Sequence, residues 1–155
     1  MKIGVGYDIH RLVEGRPMVL GGVNMEYLKG PEGHSDGDCL LHAICDALLG
    51  ALGEGDIGMR FPDTDAKYKD ICSKELLKDV ALLVESKGVK VNNLDCVVIL
   101  EDPKIGPYRQ KMKEVISGLL AISPGNVNIK AKTAEGMGAI GEGEAVASYA
   151  TVLLG

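Results

Sequence analysis

Between Lys2 and His10 the chain alternates, with Ile3, Val5, Tyr7 and Ile9 on one side and Gly4, Gly6, Asp8 and His10 on the other. That is the period-two signature of a β-strand. A second short strand is expected after Pro17, over Met18 to Leu20 and ending at Gly21-Gly22, so that the two form a hairpin. Beyond His34 and Ser35 the period lengthens: Leu41, Ile44, Leu48 and Leu49 recur at helical spacing, predicting a helix over 36–52 with Ser35 and Asp38 as a capping-box-like start. The stretch Gly53 to Lys69 is rich in Gly, Asp and Pro and reads as a long loop. Leu76, Leu77, Val80, Leu83 and Val84 form one stripe of a helix over 73–86, which Gly88 stops. A strand over 89–100, a helix over 108–120, a strand over 127–132, a Gly-rich turn over 136–143 and a final strand over 145–154 complete the chain.

These elements predict an α+β fold, a single domain over 1–155 built as a sandwich of one mixed β-sheet covered by helices on one face. The last strand, Ala145 to Leu154, is apolar at nearly every position, which predicts burial on both of its faces and packing of the sheet against other copies of the chain. A length of 155 residues suits one core. With no Trp, one Phe and 21 Gly, that core must be aliphatic and several loops tight. A net charge of -5 without any Lys/Arg run argues against a nucleic-acid partner. No apolar run approaches the roughly 20 residues needed to span a bilayer, so no membrane association and a cytoplasmic setting are expected. Cys39, Cys45, Cys72 and Cys96 form no C-x-x-C pair and are expected as thiols, not bridges or ligands.

Chemistry concentrates in five places. Asp8 and His10, two apart on a strand, project a carboxylate and an imidazole from the same face; alone, such a pair is commonly just solvated. Asp38, His42 and Asp46 follow at steps of four and share one helix face, where the carboxylates can orient the imidazole. All three histidines lie within the first 42 residues. Two neutral imidazoles and one carboxylate are a known catalytic zinc set that leaves a fourth position open. His34-Ser35 at the expected helix N-terminus suits an anion such as phosphate, or Ser35 simply caps the helix. Asp56-Ile57-Gly58 and Phe61-Pro62-Asp63-Thr64-Asp65 place acids among turn formers, for hydroxyl groups or a cation, or as caps of a short turn. Lys130-Ala131-Lys132-Thr133-Ala134-Glu135 leaves a strand with groups suited to phosphate oxygens and to Mg²⁺.

Taken together, Gly4-x-Gly6-Tyr7-Asp8-x-His10, His34-Ser35-Asp36-Gly37-Asp38, His42, Asp46-Ala47-Leu48-Leu49-Gly50, Gly55-Asp56-Ile57-Gly58, Phe61 to Asp65, Pro103-Lys104 and Lys130-Ala131-x-Thr133-x-Glu135 resemble the 2-C-methyl-D-erythritol 2,4-cyclodiphosphate synthase family over nearly the whole chain. The resemblance implies cyclisation of a cytidine-diphosphate-linked methylerythritol 2-phosphate with release of CMP, in non-mevalonate isoprenoid biosynthesis. It implies Zn²⁺, or another divalent transition metal, on Asp8, His10 and His42, and a Mg²⁺ or Mn²⁺ held with the help of Glu135. His34 and Thr133 would stabilise the transition state. Asp8, His10, His34, Ser35, Asp56, Gly58, Phe61, Pro62, Asp63, Thr64 and Asp65 would contact the methylerythritol phosphate. Leu100, Pro103, Lys104, Ile105, Gly106, Lys132, Thr133, Ala134 and Glu135 would shape the cytidine diphosphate end. A homotrimer with active sites between subunits is implied as well.

Two departures stand out against that family. Lys132-Thr133-Ala134-Glu135 stands where many members have Thr-Thr-Thr-Glu, and Ala139 and Glu142 stand where Phe and Arg are usual in the Gly-rich turn. In the family these last two line a cavity on the trimer axis, so the reversed charge is expected to disfavour isoprenoid diphosphates there. The residues themselves leave two other readings open: a zinc phosphodiesterase that uses metal hydroxide, and a non-catalytic trimeric module with a structural metal.

Overall fold

The computed structural model describes residues 1–155. Strand β1 (Lys2–Glu14) is followed by three short strands, β2 (Met18–Leu20), β3 (Val23–Met25) and β4 (Lys29–Pro31), then by helices α1 (Cys39–Leu52), α2 (Ile57–Arg60) and α3 (Ser73–Ser86). Strand β5 (Val91–Ile99), helix α4 (Arg109–Leu119), strand β6 (Val127–Lys132), the single turn α5 (Gly138–Gly141) and strand β7 (Ala145–Leu154) complete the order. The main sheet has five strands in the order β4-β1-β7-β5-β6. β7 runs antiparallel to β1 and to β5, while β5 and β6 are parallel, so the sheet is mixed as expected. None of the helices is long and apolar enough to cross a membrane.

The expected hairpin between β1 and β2 does not form. β2 pairs with β3 in a separate two-stranded sheet, while β1 continues to Glu14 and pairs with β4 through Leu12, Val13 and Glu14. Gly21 and Gly22, both at positive φ, turn β2 back onto β3. The 53–69 loop holds the single-turn helix α2 and a 3-10 turn at Ala66–Tyr68.

α1 begins at Cys39, three residues later than predicted, with Asp38 as its N-cap and not Ser35. The side chain of Asp38 accepts the Leu41 N–H at 3.0 Å. Gly37 cannot join the helix because it sits at φ 76 against Pro31. Eleven residues of α1 are buried, which makes it the spine of the core. Such a helix needs apolar partners all round; it lies between the sheet and α3.

Contact with the sheet is closest at β1. A Cβ built on Gly4 would lie 1.9 Å from the Ala47 carbonyl oxygen, and one on Gly6 would lie 1.9 Å from that of Ala43. The glycine face of β1 is therefore the inner face, and only hydrogen fits there. Ile3, Val5, Tyr7 and Ile9 point outwards instead, Ile3 at 72% exposure and Val5 at 69%. β7 is buried on both faces only over Ala145–Ser148; Tyr149 and Thr151 belong to the open face. Within one chain, then, the doubly buried last strand is realised in part. Cys39, Cys45 and Cys96 are buried free thiols, and Cys72 is an exposed one; burial pushes the Cys96 thiol up to about 12.

The two glycine environments set opposite expectations for Ala. Gly6→Ala forces β1 off α1 and should destabilise the chain by more than about 3 kcal/mol in urea unfolding. Gly118→Ala, in α4 with nothing within 4 Å of the added methyl, should be neutral or stabilising by up to about 1 kcal/mol. Equal effects would contradict the packing described.

Candidate active site

The glycine contact carries β1 so close to α1 that the next two inward positions, Asp8 and His10, run out beside the first turn of the helix and meet His42. His10 Nε2 lies 2.8 Å from Asp8 Oδ2, His42 Nδ1 lies 3.1 Å from the same oxygen, and the two nitrogens are 3.1 Å apart. Three potential ligand atoms thus converge within 4.8 Å of one another. Donors around a tetrahedral zinc stand about 3.3 Å apart, given metal–ligand bonds near 2.0–2.2 Å. Two imidazoles and a carboxylate at this spacing fit a borderline-soft divalent metal with one position left for a ligand.

The proton inventory supports the same fit. His10 Nδ1 lies 2.6 Å from the Glu32 carbonyl oxygen, which only accepts, so Nδ1 carries a proton and Nε2 faces the cluster. Burial alone would raise the Asp8 carboxyl, but hydrogen bonds and charge from His10 and His42 override it and hold it well below the usual carboxylate range. Burial likewise pulls the His10 imidazole down, yet the Asp8 carboxylate and the Glu32 carbonyl push it above its ordinary value.

His42 is oriented by partners the helix spacing did not indicate. Asp38 is fully buried but turns away, accepting the N–H groups of Gly21 at 2.9 Å and Gly22 at 2.6 Å besides that of Leu41. Asp46 accepts the Ile57 N–H at 2.8 Å and so holds α2. Neither hydrogen-bonds to His42, which corrects the expectation that they orient it. His42 Nε2 faces Ser73 Oγ at 2.8 Å and Ser35 Oγ at 3.2 Å. The His34-Ser35 pair is correspondingly not a helix N-terminal anion site, because the Asp38 carboxylate occupies that end of α1. Ser35 Oγ instead accepts the Gly37 N–H at 3.1 Å. The segment is pinned from both sides, by Arg16 donating to the Ser35 carbonyl at 2.7 Å and by the Asp70 N–H donating to that of His34 at 2.8 Å.

A cavity of about 380 Å³ opens beside the cluster. His10, His34, Ser35 and His42 form its polar wall; Gly58, Phe61, Pro62 and Asp63 line it, as expected from the sequence. Ile57, Tyr68, Ile71 and Leu76 add an apolar wall that sequence reasoning did not single out. Asp56, Thr64 and Asp65 do not line the cavity. Asp56 caps α2 by accepting the Met59 N–H at 2.8 Å, and Asp65 caps the following 3-10 turn by accepting that of Lys67 at 2.9 Å.

The remaining candidates gather elsewhere along the same end of the sheet. Leu100, Pro103, Lys104, Ile105, Lys132 and Thr133 line a second cavity of about 220 Å³ between the ends of β5 and β6; Gly106, Ala134 and Glu135 lie outside it. Three strand spacings, roughly 14 Å, separate β6 from β1, so one chain does not bring Thr133 or Glu135 to the Asp8–His10–His42 cluster. Thr133 Oγ1 donates to Glu135 Oε1 at 2.6 Å, and Glu135 itself sits at φ 53. Glu101, absent from the sequence candidates, stabilises this turn: its carboxylate accepts the N–H groups of Ala134 at 3.0 Å and Gly136 at 3.2 Å. Ala139 and Glu142 are exposed in and just after α5. Asp36, Ser73 and Glu101 act through contacts 33–37 residues apart; no local pattern in the sequence announces them.

Known proteins resemble this chain over nearly its whole length. The sequence matches the profile of the YgbB family over residues 1–155. It is 54% identical over 154 residues to the 2-C-methyl-D-erythritol 2,4-cyclodiphosphate synthase of Desulfatibacillum aliphaticivorans, covering 99% of each chain. A solved 2C-methyl-D-erythritol-2,4-cyclodiphosphate synthase in its CDP-bound form superposes with a TM-score of 0.91 at 40% identity, covering 99% of both chains. The bifunctional IspDF protein of Campylobacter jejuni superposes with a TM-score of 0.94 at 40% identity, covering 99% of this chain and 42% of that one.

The raised His10 imidazole sets a pH dependence for metal binding. Its Nε2 proton must leave before a metal can bind, so zinc affinity should fall as the pH drops below the His10 value, and metal binding should release protons. Titration calorimetry at about pH 6 in buffers of different ionisation enthalpy reads that release directly. Binding with no proton release under acidic conditions would contradict the assignment of His10 Nε2 as a ligand.

Proposed function

The chain belongs to the YgbB family, and from that membership and the site geometry we infer how it cyclises 4-diphosphocytidyl-2-C-methyl-D-erythritol 2-phosphate to 2-C-methyl-D-erythritol 2,4-cyclodiphosphate with release of CMP. The observation that carries this reading is the convergence of Asp8, His10 and His42 beside a mixed polar and apolar cavity, in a chain 54% identical to a named synthase. In the reaction an oxygen of the substrate's own 2-phosphate forms a bond to the β-phosphorus, and the bond from that phosphorus to the CMP oxygen breaks. The nucleophile travels with the substrate, so the protein's tasks are alignment and stabilisation of charge.

Each cavity suits one part of the substrate. Ile57, Phe61, Ile71 and Leu76 offer an apolar wall to a small branched polyol, while the backbone around Gly58 and the carboxylate of Asp63 suit its hydroxyl groups. His34 and Ser35, which line the same cavity, would meet phosphate oxygens. The cavity at the ends of β5 and β6 suits the cytidine diphosphate, with Lys104 and Lys132 as its cations and the Glu101-braced turn presenting Thr133 and Glu135. When bound, Zn²⁺ at Asp8, His10 and His42 and Mg²⁺ or Mn²⁺ near Glu135 supply the positive charge that this acidic chain lacks.

A homotrimer joins the two cavities in this account. The open sheet face carries Ile3, Val5, Tyr7, Ile9 and Tyr149; an apolar surface of that kind on a central sheet is an association surface. Packing three such faces together would let Thr133 and Glu135 of one chain serve a neighbour's metal cluster.

Incubation with the cytidylated substrate and Mg²⁺ should release CMP, chelation should abolish that release, and zinc should restore it. His42→Ala should lower kcat by about a thousandfold or more. Sedimentation should give three times the 16.4 kDa chain mass. CMP release that survives both chelation and His42→Ala would reject the metal reading, and a monomer mass would reject the trimer.

A further inference from the structure

We propose that Asp36 and Ser73 form a positioning pair that fixes the tautomer of His42, presenting its Nδ1 lone pair to the metal. The pair rests on the reading of Asp8, His10 and His42 as a metal site, and it follows from hydrogen-bond bookkeeping around one buried hydroxyl. Asp36 accepts on both carboxylate oxygens: the Ser73 N–H reaches Oδ2 at 3.0 Å, and the Asp38 N–H reaches Oδ1 at 3.2 Å. The Ser73 hydroxyl also bonds to Oδ1. A carboxylate has no proton to give, so the hydroxyl proton of Ser73 points at Asp36. The face of Ser73 Oγ turned to His42 Nε2 at 2.8 Å therefore offers a lone pair, and Nε2 must be the protonated nitrogen. Nδ1 is then bare, and it is Nδ1 that lies 3.1 Å from both Asp8 Oδ2 and His10 Nε2. Ser73 is completely buried, so water is not positioned to replace its hydroxyl.

The same carboxylate has a second task that makes the pair more than a local contact. Cys72, the N-cap of α3, makes no side-chain capping bond. Asp36 supplies that bond from another part of the chain by taking the first N–H of the helix. Ile71 and Leu76, which flank this junction, line the cavity. The orientation of His42 is thus tied to the segment that forms the substrate-facing wall. Partners of a metal-bound imidazole usually contribute 10–100-fold to metal affinity.

Ser73→Ala separates the two tasks, because it deletes the hydroxyl and keeps the backbone N–H that Asp36 caps. Cobalt(II) titration, read by the visible spectrum of the tetrahedral ion, should show affinity about 10–100-fold weaker in Ser73→Ala than in the wild type. Ser73→Thr, which restores a hydroxyl, should recover most of the loss. In the zinc-loaded wild type, nuclear magnetic resonance should show a His42 Nε2–H signal protected from solvent exchange, and this measurement stands even if the Ala variant does not fold. Unchanged cobalt affinity and spectrum in a folded Ser73→Ala, or a freely exchanging Nε2–H in the wild type, overturns the proposal while leaving the metal site intact. Failure of the wild type to bind cobalt or zinc overturns both.

Discussion

The contact of β1 backbone with α1 backbone brings Asp8, His10 and His42 together. Gly4 and Gly6 meet the carbonyl oxygens of Ala47 and Ala43 with no room for a β-carbon, so strand and helix approach closer than any side-chain-mediated packing allows. Asp8 and His10 continue the same strand face past the start of the helix, where His42 projects from its first turn. A looser strand–helix pair would leave an imidazole and a carboxylate on one element and an imidazole on another, too far apart to share an ion. The alanines of α1 and the glycines of β1 thus belong to the chemistry as much as to the core.

Around that contact the buried polar groups divide the work. Asp38 ties α1 to the turn between β2 and β3, Asp46 ties it to α2, and Asp36 ties the preceding loop to α3. Three acids within eleven residues therefore anchor three different neighbours, and none of them hydrogen-bonds to His10 or His42. Burial would make unpaired carboxylates costly; each is satisfied by backbone N–H donors, and Asp8 is the carboxylate that faces the two imidazoles.

Much of this was legible in the sequence, and the gaps have physical causes. Alternation at Lys2 to His10 and the helical recurrence of Leu41, Ile44 and Leu48 located the strand and helix that bear Asp8, His10 and His42, because each period follows from local backbone geometry. The pairing of β2 was not legible, since strand pattern reports a face and not a partner. Nor was the direction in which Asp38 and Asp46 point. Helical spacing puts them on the face of His42, but their hydrogen bonds are chosen by Gly21, Gly22 and Ile57, which folding brings in from outside the helix. Gly37 did carry a readable signal: a glycine between two acids marks the left-handed residue that delays the helix to Cys39. Ser73 had none, because its function depends on a carboxylate 37 residues away.

A divalent ion held by Asp8, His10 and His42 with a fourth position open could make hydroxide from water or grip a phosphate. The family membership points to the second, in which the attacking oxygen comes from the substrate. That distinction is the centre of the account, and isotope placement measures it directly. Turnover of the cytidylated methylerythritol phosphate in ¹⁸O-labelled water, followed by ³¹P magnetic resonance and mass spectrometry, should give CMP and a cyclic diphosphate that both lack the label. Label in either product would show that water is the nucleophile and would contradict the cyclisation mechanism.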